Sequence, residues 1–250
     1  KKLENEYGVL KKLEEKGVSN VVRAEALVYF QISSGKIPIL VMQIAQGVEL
    51  VNHLNEQISP VDVREILLKI SRSMAEVHKA GYIHRDLKPE NIFIDDLGGK
   101  NEITIIDFGI AAIKDNENTY AITQSVAYSK FWCPPEQRDG TVSIGNDIFS
   151  LGAVGYALLI PGAELKRVMP PHGSIEPPYD PKYTFETNTM EDKHLYEVIR
   201  KATSYNRYHR FGTMEDMANH LDGAPPSENF PRIIADGHSH PLIPGKSKWT

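Results

Sequence analysis

The stretch that most constrains this chain is His84-Arg85-Asp86-Leu87-Lys88-Pro89-Glu90-Asn91, followed a short way on by Asp107-Phe108-Gly109. Between the two, residues 91–95 and 102–108 are largely apolar and flank the loop Asp96-Leu97-Gly98-Gly99-Lys100, so they read as two strands of a hairpin. Two carboxylates, a lysine and an amide therefore fall on the loop and strand ends of one small unit. Phosphoryl transfer needs such a set. One carboxylate accepts the hydroxyl proton of the acceptor. The amide and the second carboxylate offer oxygen to magnesium, and the lysine neutralises the migrating group. A lone Asp-Phe-Gly is weak evidence; at this spacing from Asp86 it is strong.

Bulk properties narrow the classes. A chain of 250 residues, 41% of them hydrophobic, fits one large domain or two small lobes. The net charge of −5 gives no reason to expect a nucleic-acid or anionic-membrane partner. Cys133 is the single cysteine, so no internal disulfide is possible and a reducing, cytoplasmic compartment is expected. The longest apolar run, 149–160, is interrupted by Ser150 and glycines and reads as a buried helix rather than a membrane span. No signal peptide is visible. The chain starts at Lys1 rather than Met, so its true N-terminus is expected upstream.

HRDLKPEN with DFG resembles the eukaryotic-type (Hanks-type) serine/threonine protein kinases. The resemblance covers roughly residues 1–221 and is most specific from 84 to 152. It implies that Asp86 is the catalytic base, that Lys88 sits over the transferring phosphate, and that Asn91 and Asp107 bind magnesium. A lysine at position 88 is similar to serine/threonine rather than tyrosine kinases. His84 reads as a packed core histidine. Arg85 is expected to meet a phosphate or acid of the activation segment, and Phe108, followed by Gly109, to pack toward Leu10 and His84.

Upstream, Leu3, Tyr7, Leu10 and Leu13 recur at helical spacing. Alone, Glu6 beside this stripe would be a surface acid. Within the resemblance it is the small-lobe helix glutamate that pairs with a strand lysine gripping the nucleotide. That lysine and the glycine-rich loop are expected before Lys1, and residues 1–250 alone are expected to bind ATP weakly and turn over negligibly. Val21–Phe30 and Ile37–Ile44 read as a hairpin around Ser33-Ser34-Gly35-Lys36. The resemblance makes Met42 the residue behind the nucleotide pocket. Gln43 and Ala45 become its adenine-facing backbone, Glu49 its ribose contact and Phe93 part of its lining. Ser59-Pro60-Val61-Asp62 starts a helix with a capping serine, and Ile66, Ile70, Met74 and Val77 form its buried stripe. His78 and Lys79 suit its negative end and Gly81 stops it.

Residues 107–136 are the activation segment by resemblance, closing on YSKFWCPPEQ, with the PPEQ form of bacterial members. Ser129 takes the place of the threonine facing Asp86 and Lys88, and Ser125, four residues earlier, is a candidate activating phosphosite. Tyr128 replaces a glycine, so substrate rules do not transfer. Glu136 is expected to pair with Arg210, and Asp147 to hold the catalytic-loop backbone.

The fold expected is α+β: the bilobal kinase fold with an incomplete small lobe, part of its antiparallel sheet plus one helix. The kinase domain spans 1–222 (partial small lobe and hinge to 45, large lobe from 46), and 223–250 is a tail or linker. The expected function is ATP- and magnesium-dependent phosphorylation of serine or threonine in protein substrates, with autophosphorylation possible in the same chemistry. Two rivals stand beside it. A pseudokinase acting as a binding module is opposed by the presence of Asp86, Asn91 and Asp107. A small-molecule phosphotransferase is opposed by the PPE motif, Asp147 and Arg210.

Overall fold

The computed structural model describes residues 2–56, 58–95, 102–114, 120–121, 132–159, 190–223, 234–235 and 238–239. The chain opens on helix α1 (Lys2–Glu15), which packs on an antiparallel hairpin of β1 (Ala24–Ile32) and β2 (Gly35–Met42). Val9, Leu10 and Leu13 are buried on its inner face, and so is Glu6. Leu3 and Tyr7, the other half of the expected stripe, are only half-buried. The hairpin turns more tightly than expected. Ile32 pairs with Gly35, which leaves only Ser33 and Ser34 in the turn, and Gly35 absorbs it with φ 143°. Val28, Tyr29, Phe30, Ile37, Ile39 and Val41 leave this hairpin with substantial apolar exposure.

Val21 and Val22 stitch this part to the rest: Val22 N–H donates to Ile105 O at 3.0 Å, and Ile105 N–H donates to Asn20 O at 2.8 Å. After the hinge come β3 (Val48–Glu49) and helix α2 (Pro60–Lys79). Ser59 caps α2 as expected, its hydroxyl accepting from Asp62 N–H at 3.2 Å, and Ile66, Ile70, Met74 and Val77 are all buried. Gly81, at φ 90°, ends the helix turn and admits β4 (Tyr82–Ile83).

The expected hairpin forms as β5 (Ile92–Asp95) and β6 (Glu102–Ile105), with β3 on the outer side of β5. β6 stops earlier than the apolar run suggests, because Asp107 is left-handed at φ 60° and cannot continue a strand. β4 pairs with β7 (Ala112–Lys114), and β7 with β8 (Tyr120–Ala121).

A short helix α3 (Pro135–Arg138) leads to α4 (Ile144–Leu159), buried along nearly its whole length. That suits a helix that is apolar nearly all round beyond its first turn. Its glycines admit neighbours. A Cβ on Gly152 would lie 2.7 Å from Thr203 Cγ2, and one on Gly155 2.7 Å from Leu67 Cδ1. Helix α5 (Met190–Ala202) packs on α4, and α6 (Met214–Leu221) packs across α2. Beyond it, Ile234–Ala235 pairs antiparallel with His238–Ser239. Among the described residues no helix is long and apolar enough to cross a membrane.

Candidate active site

The loop between β4 and β5 carries His84 to Asn91, and it is held from below by one buried carboxylate. Asp147, in the first turn of α4, accepts from His84 N–H at 2.9 Å and Arg85 N–H at 2.8 Å, as expected. His78 Nε2 is a third partner at 2.8 Å. Burial pushes the Asp147 carboxyl up, but the His78 bond and the nearby His84 and Arg85 outweigh it. The group is held below the ordinary carboxylate range. Reading His78 as a helix-end cation missed this partnership. Its signal was present, since a histidine next to the last residue of α2 lies close to the loop that follows.

His84 is wholly buried, with its ring against Phe108 at 4.5 Å between centroids. Its Nε2 donates to Ile106 O at 2.9 Å and its Nδ1 accepts from Asp86 N–H at 3.3 Å, which fixes the neutral tautomer. Arg85 is buried and left-handed at φ 70°. One guanidinium nitrogen donates to Ile110 O at 3.1 Å, while its Nε has no partner among the described residues. Burial lowers the Arg85 pKa, against the attraction of Asp147. Arg85 and Asp107 are two of the three non-glycine residues with positive φ among those described; the third is Asn20. Strained backbone of this kind costs about 1–3 kcal/mol per residue and concentrates at functional sites.

The expected polar set converges. Lys88 Nζ reaches Asp86 Oδ2 at 2.8 Å, and Asn91 Nδ2 donates to the Asp86 carbonyl at 2.8 Å. Asn91 N–H closes the loop on Lys88 O at 3.0 Å, and its carbonyl accepts from Ile106 N–H at 2.9 Å, tying the loop to the segment that leads into Asp107. Because the Asn91 amide nitrogen faces Asp86, its oxygen is turned the other way and is an available acceptor. Asp107 Oδ1 accepts from Gly109 N–H at 3.2 Å.

Glu6 joins this cluster. Its pKa is raised by burial and then by the Asp107 charge, while Lys2 and the Phe108 backbone N–H pull it back. A Cβ on Gly109 would meet Lys2 Cε, Asp107 Oδ1 and Glu6 Oε2 within 3.2 Å, so a side chain there would crowd the space these groups share. Lys2 was not singled out in the sequence, where nothing separates it from other helix lysines. Two carboxylates this close call for a cation. Among the described residues no cluster of three or more His, Cys, Asp or Glu could hold a metal alone. An amide oxygen plus one carboxylate, completed by phosphate oxygens, is the way magnesium is commonly held, and this donor set fits it.

The nucleotide-facing assignments lie along the hinge. Met42 ends β2 and is partly exposed. Gln43 N–H is engaged by Arg23 O at 2.9 Å, which leaves its carbonyl as the group to offer a ligand. Ala45 is half-buried. Glu49 and Phe93 are brought together, paired across β3 and β5. Glu136 and Arg210 form the expected bidentate pair at 2.5 and 3.1 Å, and Arg210 also donates to Ser204 O, Gly145 O and Tyr205 O. Ser125 and Ser129 lie outside the described residues.

A family model for the protein kinase domain matches residues 1–221. This chain belongs to the protein kinase family. It is 32% identical over 186 residues to the serine/threonine-protein kinase PrkC of Bacillus subtilis, covering 71% of this chain and 28% of that protein. It is 30% identical over 222 residues to the serine/threonine-protein kinase PknB of Mycobacterium tuberculosis, covering 84% and 34% respectively. The serine/threonine-protein kinase PknL of the same species is 35% identical over 142 residues, 55% of this chain and 34% of that protein. The chain thus spans about a third of the length of these relatives. The resemblance to Hanks-type serine/threonine kinases and the α+β kinase fold are both borne out.

Proposed function

We propose that this chain phosphorylates serine or threonine hydroxyls of protein substrates, using ATP and magnesium, in the cytoplasm. The observation that carries the reading is the convergence of Lys88 and Asn91 on Asp86, with Asp107 joined to the same loop through Ile106. The Asp86 carboxylate would orient the acceptor hydroxyl and take its proton late in transfer. Lys88, already paired with that carboxylate, would meet the negative charge of the phosphoryl group as it passes. Asn91 and Asp107 would hold magnesium, which supplies charge neutralisation on the phosphate oxygens when bound. Met42, Gln43, Ala45, Glu49 and Phe93 would line the nucleotide. The residues carrying these roles fall in a domain we delimit as 1–222, with small lobe and hinge to 45, followed by the segment 223–250.

The test is phosphate transfer to protein acceptors by the full-length protein. Asp86→Asn is expected to lower turnover about a hundredfold or more, the range of a general base. Asp107→Ala is expected to abolish magnesium-dependent transfer without unfolding the chain. Transfer at the wild-type rate by either variant refutes the assignment.

Regulation follows from Arg85. Its Nε is buried without a partner among the described residues, and a buried guanidinium is stabilised by an anion. Phosphate on Ser125 would add nearly two negative charges and several acceptor oxygens within the activation segment. Mass spectrometry after incubation with ATP and magnesium, beside Ser125→Ala, reads this out. A fully active enzyme with an unmodified segment refutes it.

A further inference from the structure

Gln137 and Asn146 play no part in the assignments above, yet they are among the most buried polar side chains of the protein, at 1% and 0% exposure. Gln137 Nε2 donates to the Arg85 carbonyl at 2.7 Å. Its Oε1 accepts from Asn146 Nδ2 at 2.9 Å. Asn146 Nδ2 also donates to Thr141 O at 3.0 Å. Asn146 Oδ1 accepts from Ser143 N–H at 3.0 Å and from Ser143 Oγ at 2.9 Å, closing the first turn of α4 in the manner of a capping box. Each amide orientation dictates the next. A carbonyl must meet the Gln137 NH2, so the Gln137 oxygen faces Asn146, so the Asn146 NH2 faces Gln137.

The place where this chain ends is what matters. Arg85 is left-handed, so its carbonyl leaves the regular ladder and needs a donor from elsewhere. The peptide it begins is the one that leads into Asp86. His84 Nδ1 holds the N–H of that peptide and Gln137 holds its C=O. The plane that sets the direction of the Asp86 side chain is therefore gripped at both edges. Asp147 grips only the two peptides before it.

We infer that Gln137 and Asn146 are positioning residues that aim Asp86 and couple the catalytic loop to the segment after the PPE motif. This rests on the reading of Asp86 given above. A role confined to packing α3 on α4 would affect stability and leave the turnover of folded enzyme unchanged.

The test uses the full-length protein and two near-isosteric changes. Gln137→Met removes the donor to Arg85. Asn146→Asp keeps the cap on Ser143 but offers Gln137 no donor. With rates normalised to folded protein, kcat is expected to fall about ten- to a hundredfold in each, the scale of a misplacement near 1 Å. KM for ATP should stay within about twofold. The double variant should be no slower than the worse single, since both act through one chain. Hydrogen exchange across 84–91, which needs no turnover, should rise in both. If Gln137→Met does not fold, Gln137→Glu, which keeps the acceptor for Asn146, is read in the same way. Wild-type kcat with unchanged exchange overturns the inference. An inactive wild type instead overturns the kinase reading, and exchange across 84–91 then decides the clamp by itself.

Discussion

Replacing Asp147 by asparagine tests how the catalytic loop is held. The carboxylate serves three donors: Oδ2 takes His78 Nε2 and His84 N–H, and Oδ1 takes Arg85 N–H. An asparagine offers one oxygen. With that oxygen at the Oδ2 position, the new NH2 faces Arg85 N–H, and a buried donor is left opposite a donor. A hydrogen bond to a charged group contributes about 1.5–3 kcal/mol, and a stranded buried N–H costs about 1–3 kcal/mol. A loss of about 3 kcal/mol follows, close to a hundredfold in the folding constant. For a chain of this size that is about 6–12 °C in Tm. Calorimetry at neutral pH measures it. The pH dependence adds a second, signed readout. Asp147 is depressed in the folded protein, so its contribution is present above the unfolded value of about 4 and disappears as pH falls through the lower folded value. Below about pH 4 the wild type loses this term and the variant has none to lose, so the gap in Tm narrows with acid. A Tm drop under about 2 °C at neutral pH, or a gap that stays constant from pH 6 to pH 2, refutes the reasoning.

Other expectations follow from the same geometry. Arg210→Met strands Glu136 and three carbonyls, and should cost about 3–5 kcal/mol, seen as a Tm lower by about 10 °C. Gly47→Ala should be among the most damaging glycine changes. Its φ is 82° and a Cβ there would sit 2.0 Å from Ile94 O, so β3 must move off β5 or the protein fails to fold; soluble yield and Tm report it. Gly152→Ala gains about 1 kcal/mol of helix propensity but drives a methyl to 2.7 Å from Thr203, and a net loss of about 1–2 kcal/mol in urea unfolding is expected.

Much of the site was legible because it rests on residue types in fixed order. Asp86, Lys88 and Asn91 are joined by local backbone, so their spacing alone brings them together. Glu136 with Arg210, and Asp147 with the loop, were accessible only through the resemblance, since no local rule connects residues so far apart. What escaped notice has a common physical cause. His78, Lys2, Gln137 and Asn146 act through tertiary contacts, and a histidine, a lysine or an amide on a helix looks the same in sequence whether it faces solvent or a buried carbonyl. Glu6 shows the converse. Its period placed it beside the stripe, and the structure buries it on the inner face. Element ends were misjudged where φ was decisive, at Gly35 and at Asp107.

The anchors of the catalytic loop have one further consequence. Asp147, Gln137, His78 and Ile106 all follow the hinge in sequence, whereas Glu6 and Met42 precede it. A shift of α1 would move Glu6 relative to Asp107 while leaving Asp86, Lys88 and Asn91 in fixed mutual register, and the bonds of Asn20 and Val22 to Ile105 hold the chain beyond α1 in place. On the function proposed above, proton acceptance and nucleotide grip would then be separate degrees of freedom. On that reading, substitutions in α1 would retune affinity or responsiveness without degrading the base, and an effector that presses on α1 would silence transfer while leaving the loop around Asp86 ready for immediate use.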